Sequence, residues 1–213
     1  LDGLNYDLAI EDTILKDILV LEAFVQFVEA FFYIWVIYAL KDLRKMTSRR
    51  YIDWFITTPT MLISTIIFME YLRKKGANED TLNFWTFLQD HKENIIKIIS
   101  YNFFMLVFGL LGELNIIDKK IGVSIGFIFF GLSFKLIYDE YAHYTEGGKK
   151  LFAFLVSVWS LYGVSAMMPM VPKNACYNIL DIVAKNFYGL FIYYYITTIG
   201  TRKGYLLNFI KTE

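Results

Sequence analysis

The chain has 213 residues, 56% of them hydrophobic and 19% aromatic, and its 21 basic and 21 acidic side chains cancel to a formal net charge of zero. Balanced charge offers no electrostatic footprint for nucleic acid, and one cysteine, Cys176, excludes a disulfide framework or a cysteine-rich metal site and reads as a packing residue. Composition alone suits a large soluble core as well as a membrane protein, but charge is confined to short clusters such as Lys41 to Arg50 and Arg73 to Asp80, with long apolar runs between them.

Leu1 to Asp12 carries four carboxylates and no basic stretch, which is not the pattern of a secretory signal peptide. Six apolar spans follow: Ile14 to Leu40, Tyr51 to Leu72, Ile95 to Leu114, Ile121 to Tyr138, Leu151 to Met170 and Ala175 to Ile199. Each is on the order of the 20 residues that a helix needs to cross the hydrocarbon core, where the backbone must satisfy itself and open strands are excluded. Connections are short apart from Arg73 to Lys92, so neighbouring helices should pack antiparallel. The expectation is an all-α, multi-pass transmembrane helical bundle, residues 1–213 forming one domain. Basic residues fall almost equally on alternate sides of the spans, so the positive-inside rule does not orient it.

In the first span Glu22, Gln26, Glu29 and Tyr33, with Glu11 before them, fall on roughly one helical face; acidic stripes of this kind favour cations, and hydrogen bonding between helices is an equal alternative. The second span places Arg50, Asp53, Thr57 and Ser64 on one stripe. His91 and His143 fall in polar connections and are expected to be solvated, with no metal site. Lys97 and Lys135 lie near span ends, within reach of headgroups, and Gly122 and Gly126 have the spacing of close helix packing. In the last span Asp181 and Lys185 share one face, with Lys185 near mid-membrane. An ionisable group at that depth costs at least about 2.5–3.5 kcal/mol, so it signals function or a compensated cluster. Spacing alone leaves a purely structural salt-bridge cluster and a functional one on equal footing.

Five segments carry a resemblance. Arg50-Tyr-Ile-Asp-Trp54 followed by Thr57-Thr-Pro59, Met105-Leu-Val-Phe-Gly-Leu-Leu-Gly112, Trp159-Ser-Leu-Tyr162, and Asp181 with Lys185 four residues later resemble the microbial (type 1) rhodopsins. The triplet Asp53, Thr57, Ser64 is similar to that of rhodopsins from giant viruses of algae and other protists. The resemblance implies all-trans retinal bound to Lys185 as a protonated Schiff base, Asp53 as counterion and proton acceptor, Asp181 as second counterion, and Arg50 on the extracellular side. It implies a retinal slot lined by Trp54, Thr58, Met61, Met105, Gly109, Phe130, Trp159 and Tyr162. It also implies light-driven ion transport rather than enzymatic chemistry, with retinal, protons or small cations, the lipid bilayer and a homo-oligomer as partners, in a cell membrane that would be a host's if the chain is viral.

Three departures qualify the resemblance. The family has seven helices and the first span here corresponds to the family's second, so the family's first helix is missing or degenerate. Ser64 stands where proton pumps carry a carboxylate that reprotonates the chromophore, and the loop from Met170 to Lys173 carries no acids. Gly163 and Ala166 replace a proline and a tryptophan at the ring end of the pocket. An outward proton pump therefore stands first, a cation channel along Glu22, Gln26 and Glu29 second, and a photosensor third. Glu22 and Glu29 are expected to lie away from the charge cluster around Lys185.

Overall fold

The computed structural model describes residues 2–37 and 43–202. Helix α1 spans Ile14–Ile37, α2 Leu43–Ala77, α3 Phe84–Asp90, α4 Lys92–Glu113, α5 Lys119–Ile137, α6 Glu146–Ala166, α7 Met170–Asp181 and α8 Phe187–Ile199. Short π-helical turns, Tyr138–Ala142 and Ile182–Asn186, continue α5 and join α7 to α8, so the last two helices run as one rod through the bundle. The two-residue strands β1 (Tyr6–Asp7) and β2 (Thr201–Arg202) pair antiparallel and tie the segment before α1 to the end of α8.

Over the described residues each of the six expected spans coincides with a helix; residues 38–40 of the first lie outside the described residues, and the fifth ends at Ala166, short of Met170. Four are long and apolar enough to cross a membrane by length and composition: Ile10–Val36, Met46–Ala77, Lys92–Glu113 and Lys119–Ala142. Helix α6 carries Glu146, Lys149 and Lys150 near its start, and the last rod carries Lys173, Asp181 and Lys185, so both are more polar. The distribution of side chains is inverted relative to a soluble protein. Phe27, Phe31, Ile128, Leu190 and Tyr194 are exposed, whereas Glu22, Glu29, Arg50, Asp53, Asp181 and Lys185 are buried. Apolar residues outside and ionisable ones inside is the arrangement a bilayer selects.

Local chemistry ends and bends the helices where the site needs it. Asn78 and Asn115 take left-handed φ values of 51° and 56° just beyond α2 and α4, a conformation asparagine tolerates well. Pro59 lies inside α2 and removes one backbone donor. In the turn before it, Thr57 and Thr58 donate to the carbonyls of Asp53 (3.0 Å) and Trp54 (2.7 Å).

The long connection expected from Arg73 to Lys92 holds the last turn of α2 and the short helix α3. Asn83 caps it by accepting from the backbone N–H groups of Trp85 and Thr86. Helix α3 buries Phe87, whose ring stacks on His91 at 4.4 Å, and His91 Nδ1 lies 3.1 Å from the Tyr141 hydroxyl. His91 is thus a packing residue rather than a solvated one. At the same end Arg73 bridges Glu70 (2.8 Å) and Glu79 (2.7 Å), and its hydrogen bond holds the exposed Glu79 carboxyl below the usual range.

Helices α4 and α5 approach most closely at glycines. A Cβ on Gly122 would sit 2.7 Å from the Phe108 carbonyl oxygen and 3.1 Å from Gly112 Cα, so a side chain there must push backbone apart. Gly131, further along α5, has nothing within 4 Å of such a Cβ. Gly122→Val should therefore destabilise the bundle by about 1–3 kcal/mol, whereas Gly131→Ala should leave it unchanged; thermal unfolding in detergent, followed by helical circular dichroism, separates the two.

Candidate functional site

The polar interior is organised around Lys185, which lies in the π-helical turn of the last rod and is 2% exposed. A π turn slips the helical register and re-aims side chains, a feature common at functional positions. Lys185 Nζ lies 2.6 Å from Asp53 Oδ2, 3.5 Å from Glu29 Oε1 and 3.7 Å from Asp181 Oδ1. One ammonium is therefore surrounded by carboxylates from α1, α2 and α7.

Asp181 is the most heavily bonded of the three. It accepts from Arg50 Nη1 at 2.8 Å, the Tyr162 hydroxyl at 2.9 Å, Trp54 Nε1 at 3.3 Å and the Tyr33 hydroxyl at 3.3 Å. Arg50 also donates to Asn178 Oδ1, and it is fully buried. Such donors stabilise an ionised carboxylate without a second lysine. Asp53 is held differently: its Oδ2 meets Lys185, while Oδ1 is buried with no hydrogen-bond partner among the described residues. Asp53 and Asp181 thus differ in kind, Asp181 locked in a network and Asp53 bound, among the described residues, to the lysine alone.

The sequence expectation that both Glu22 and Glu29 stand apart from this cluster needs correction for Glu29, because α1 packs along α2 and brings its carboxylate to the lysine. Glu22, two helical turns earlier, is 1% exposed and accepts a hydrogen bond from Ser64. The Ser64 hydroxyl also lies 2.9 Å from the Met61 carbonyl, a second acceptor for its single hydrogen. A carboxyl is therefore present beside position 64, supplied from α1 instead of from α2. Glu11 does not share the stripe, since it is exposed in a short turn before α1. Gln26, Glu29 and Tyr33 do line one groove, together with Asn178 and Asn186.

Next to Lys185 lies a mainly apolar cavity. Trp54, Thr58, Met61, Met105, Gly109, Phe130, Trp159 and Tyr162 all line it, with Lys185 at its polar end. Tyr51, Tyr177, Gly126, Phe127, Gly163 and Ala166 also line it. Two glycines shape it: a Cβ on Gly109 would meet the Tyr51 hydroxyl at 2.8 Å, and one on Gly163 would meet the Phe127 ring at 2.4 Å. Thr58 is held by Asn102 Nδ2 at 2.8 Å, and Trp54 packs edge-on against Tyr162 and Tyr177. A flat apolar slot ending on a single buried amine fits a polyene aldehyde: aromatic faces for the chain, a nucleophile for the aldehyde, carboxylates for the resulting cation.

Sequence reading did not find Asn178, Asn102, Tyr51, Tyr177 or the pairing of Ser64 with Glu22. Asn178 could have been found, because it precedes Asp181 by three residues and so shares its face. The others depend on which helices meet. Among the described residues no group of three or more His, Cys, Asp or Glu is placed to hold a metal ion.

A helical membrane bundle with a lysine buried among carboxylates beside an apolar slot defines the class of retinal-type photoreceptor bundles. The family model of bacteriorhodopsin-like proteins matches residues 7–199, and the chain belongs to that family. The crystal structure of viral rhodopsin OLPVRII superimposes with a TM-score of 0.75 at 30% identity, covering 87% of this chain and 84% of that one. The crystal structure of blue light-absorbing proteorhodopsin from Med12 gives 0.68 at 18% identity, with 90% and 85% covered, a likeness of fold. No curated protein sequence matches. The chain is thus a microbial type 1 rhodopsin close to the viral rhodopsins, a multi-pass membrane protein of a family whose chromophore is retinal.

The network around Asp181 makes a prediction that needs no chromophore. Arg50→Gln should destabilise the retinal-free protein by about 3–5 kcal/mol, because it leaves a buried carboxylate short of its main partner. Arg50→Gln combined with Asp181→Asn should recover much of that loss, as read from chemical unfolding of both variants beside the parent.

Proposed function

We propose that this rhodopsin is a light-driven proton pump in which Lys185 carries retinal, Asp53 accepts the proton and Glu22 returns one. The observation that carries the reading is the pairing of Lys185 Nζ with Asp53 Oδ2 at 2.6 Å on one side and of Glu22 with Ser64 on the other. Retinal held through Lys185 supplies the absorption of light and the change of shape that unbalances the cluster. The chain's own residues do the rest. Lys185 nitrogen gives its proton to Asp53, whose oxygen is already within hydrogen-bond distance and which, unlike Asp181, has no competing donors to hold it ionised. Arg50 and Asp181 stay paired and keep a fixed charge next to the newly neutral Asp53. Glu22 then supplies a proton toward the same nitrogen from the opposite direction. It lies about 10 Å from Glu29 along α1, two helical turns at 1.5 Å per residue, with Gln26 between them. Movement is vectorial because acceptor and donor lie on different sides of Lys185, and the exit leads toward Arg50.

A second reading is a cation channel, favoured by the groove that Gln26, Glu29, Tyr33, Asn178 and Asn186 line beside the lysine. Carboxylate and amide oxygens at that depth suit a small cation. Photocurrent against voltage separates the readings. A pump gives current of one sign at all voltages, and a channel reverses where ion gradients dictate. The first result is expected; a reversal that follows the sodium or potassium gradient would move the channel to first place.

Two variants test the residues. Lys185→Ala should show no visible band after incubation with retinal, and a washed band that persists would end the assignment. Glu22→Gln should keep the colour but slow the return of the proton, and the rate should then fall about tenfold per pH unit as bulk protons replace a local donor. Recovery that is as fast and as independent of pH as the parent's would remove Glu22 from the mechanism.

A further inference from the structure

One buried ion pair lies outside the machinery just described. Lys173, in the first turn of α7, is 2% exposed, and its Nζ donates to Glu113 Oε1 at 2.5 Å. Glu113 is the last residue of α4. The first residue of α5, Lys119, places its own ammonium 3.8 Å from the other Glu113 oxygen. Three helix ends therefore meet on one carboxylate.

Its position relative to the cavity gives the cluster meaning. Glu113 follows Gly109 by four residues on α4, and Lys173 precedes Tyr177 by four on α7. Residues so spaced share a helix face, so each charged side chain stands one turn outward of a residue that lines the cavity. Gly109 and Tyr177 meet Tyr51 in that wall, with the Tyr51 hydroxyl against Gly109. One turn before Tyr51, Thr47 bonds Asn174 at 3.3 Å. The layer of Tyr51, Gly109 and Tyr177 is thus covered on its outer side by two contacts of α7, Lys173 with Glu113 and Asn174 with Thr47. Beyond that layer, inward, lie Asn178, Arg50 and Asp181.

We propose that the Glu113–Lys173 ion pair is an outer gate over the cavity, which closed keeps water from the Arg50–Asp181 network and open admits it. The pair is suited to two states rather than a graded response. Separating it leaves two buried charges uncompensated, so the closed state is held firmly, yet a shift of α7 away from α4 exposes both charges and hydrates them. Helix α7 leads directly into the turn that carries Lys185, so movement of that turn reaches the gate along one rod. Lys119 sets the bias: when Lys173 leaves, Glu113 still has a cation within 3.8 Å. The inference rests on the transport reading for what passes, but the gate itself is testable without it.

Two measurements are made in the dark on the full chain: hydrogen exchange of the backbone amides of Asn174–Asp181 in the retinal-free protein, and bleaching by hydroxylamine after addition of retinal. Glu113→Gln and Lys173→Met should each raise both rates at least about tenfold, as expected when a buried ion pair no longer opposes local opening. Lys173→Arg, which keeps the charge, should match the parent. Gly148→Ala is a control at the other end of the bundle, where an added Cβ would meet the Ala142 carbonyl at 2.7 Å. It should lower stability without changing either rate. Parental rates in Glu113→Gln, faster exchange without faster bleaching, or equal acceleration in Gly148→Ala would each overturn the gate. Should Glu113→Gln fail to fold, the comparison of Lys173→Met with Lys173→Arg decides. If the parent forms no visible band, the retinal reading fails, while amide exchange still judges the gate.

Discussion

The structure depends on neutralising one charge. An ammonium at Lys185, 2% exposed in the middle of an apolar bundle, is tolerable only if carboxylates are brought to it and those carboxylates are themselves supported. That requirement fixes which helices must meet. Helix α2 supplies Asp53 and Arg50, α7 supplies Asp181 and Asn178, and α1 supplies Glu29 and Tyr33. Tyr162 from α6 completes the shell. With these groups in place, the remaining helix surface can be as apolar as a bilayer demands.

Asymmetry within that cluster is what the proposed transport uses. Among the described residues, Asp181 has four side-chain donors besides the lysine, and Asp53 has the lysine alone. In the proposed pump, a proton leaving Lys185 meets Asp53 without competing donors, whereas Asp181 is already held by fixed ones. The same bundle carries a second, separate polar contact, Glu22 with Ser64, and between the two the groove of Gln26 and Glu29 runs along α1. The proposed transport draws on these three features as acceptor, source and seam.

Much of this was legible in the sequence because membrane helices write their two rules plainly: length and apolarity mark the span, and a charge inside it marks the site. Lys185, Asp181, Asp53 and Arg50 could be singled out on that ground, and helical spacing grouped them by face. What spacing does not encode is the contact between helices distant in the chain. Glu22 meets Ser64, and Glu29 meets Lys185, only because α1 packs along α2 and the last rod. The sequence places Lys173 in a loop from Met170, yet α7 begins at Met170, with Pro172 accommodated in its first turn. Helix α3 was missed for a related reason. At seven residues it is too short for a periodic signal, and it is held by the Asn83 cap and by burial of Phe87.

The central claim is that Asp53, and not Asp181 or Glu29, takes the proton from Lys185. Light-induced infrared difference spectroscopy on the protein reconstituted with retinal tests it most directly. The account predicts that a protonated-carboxyl C=O band appears in step with loss of the proton from the Lys185 nitrogen, and that Asp53→Asn removes this band while Asp181→Asn and Glu29→Gln leave it. A band that survives in Asp53→Asn and vanishes in either of the other two variants would contradict it.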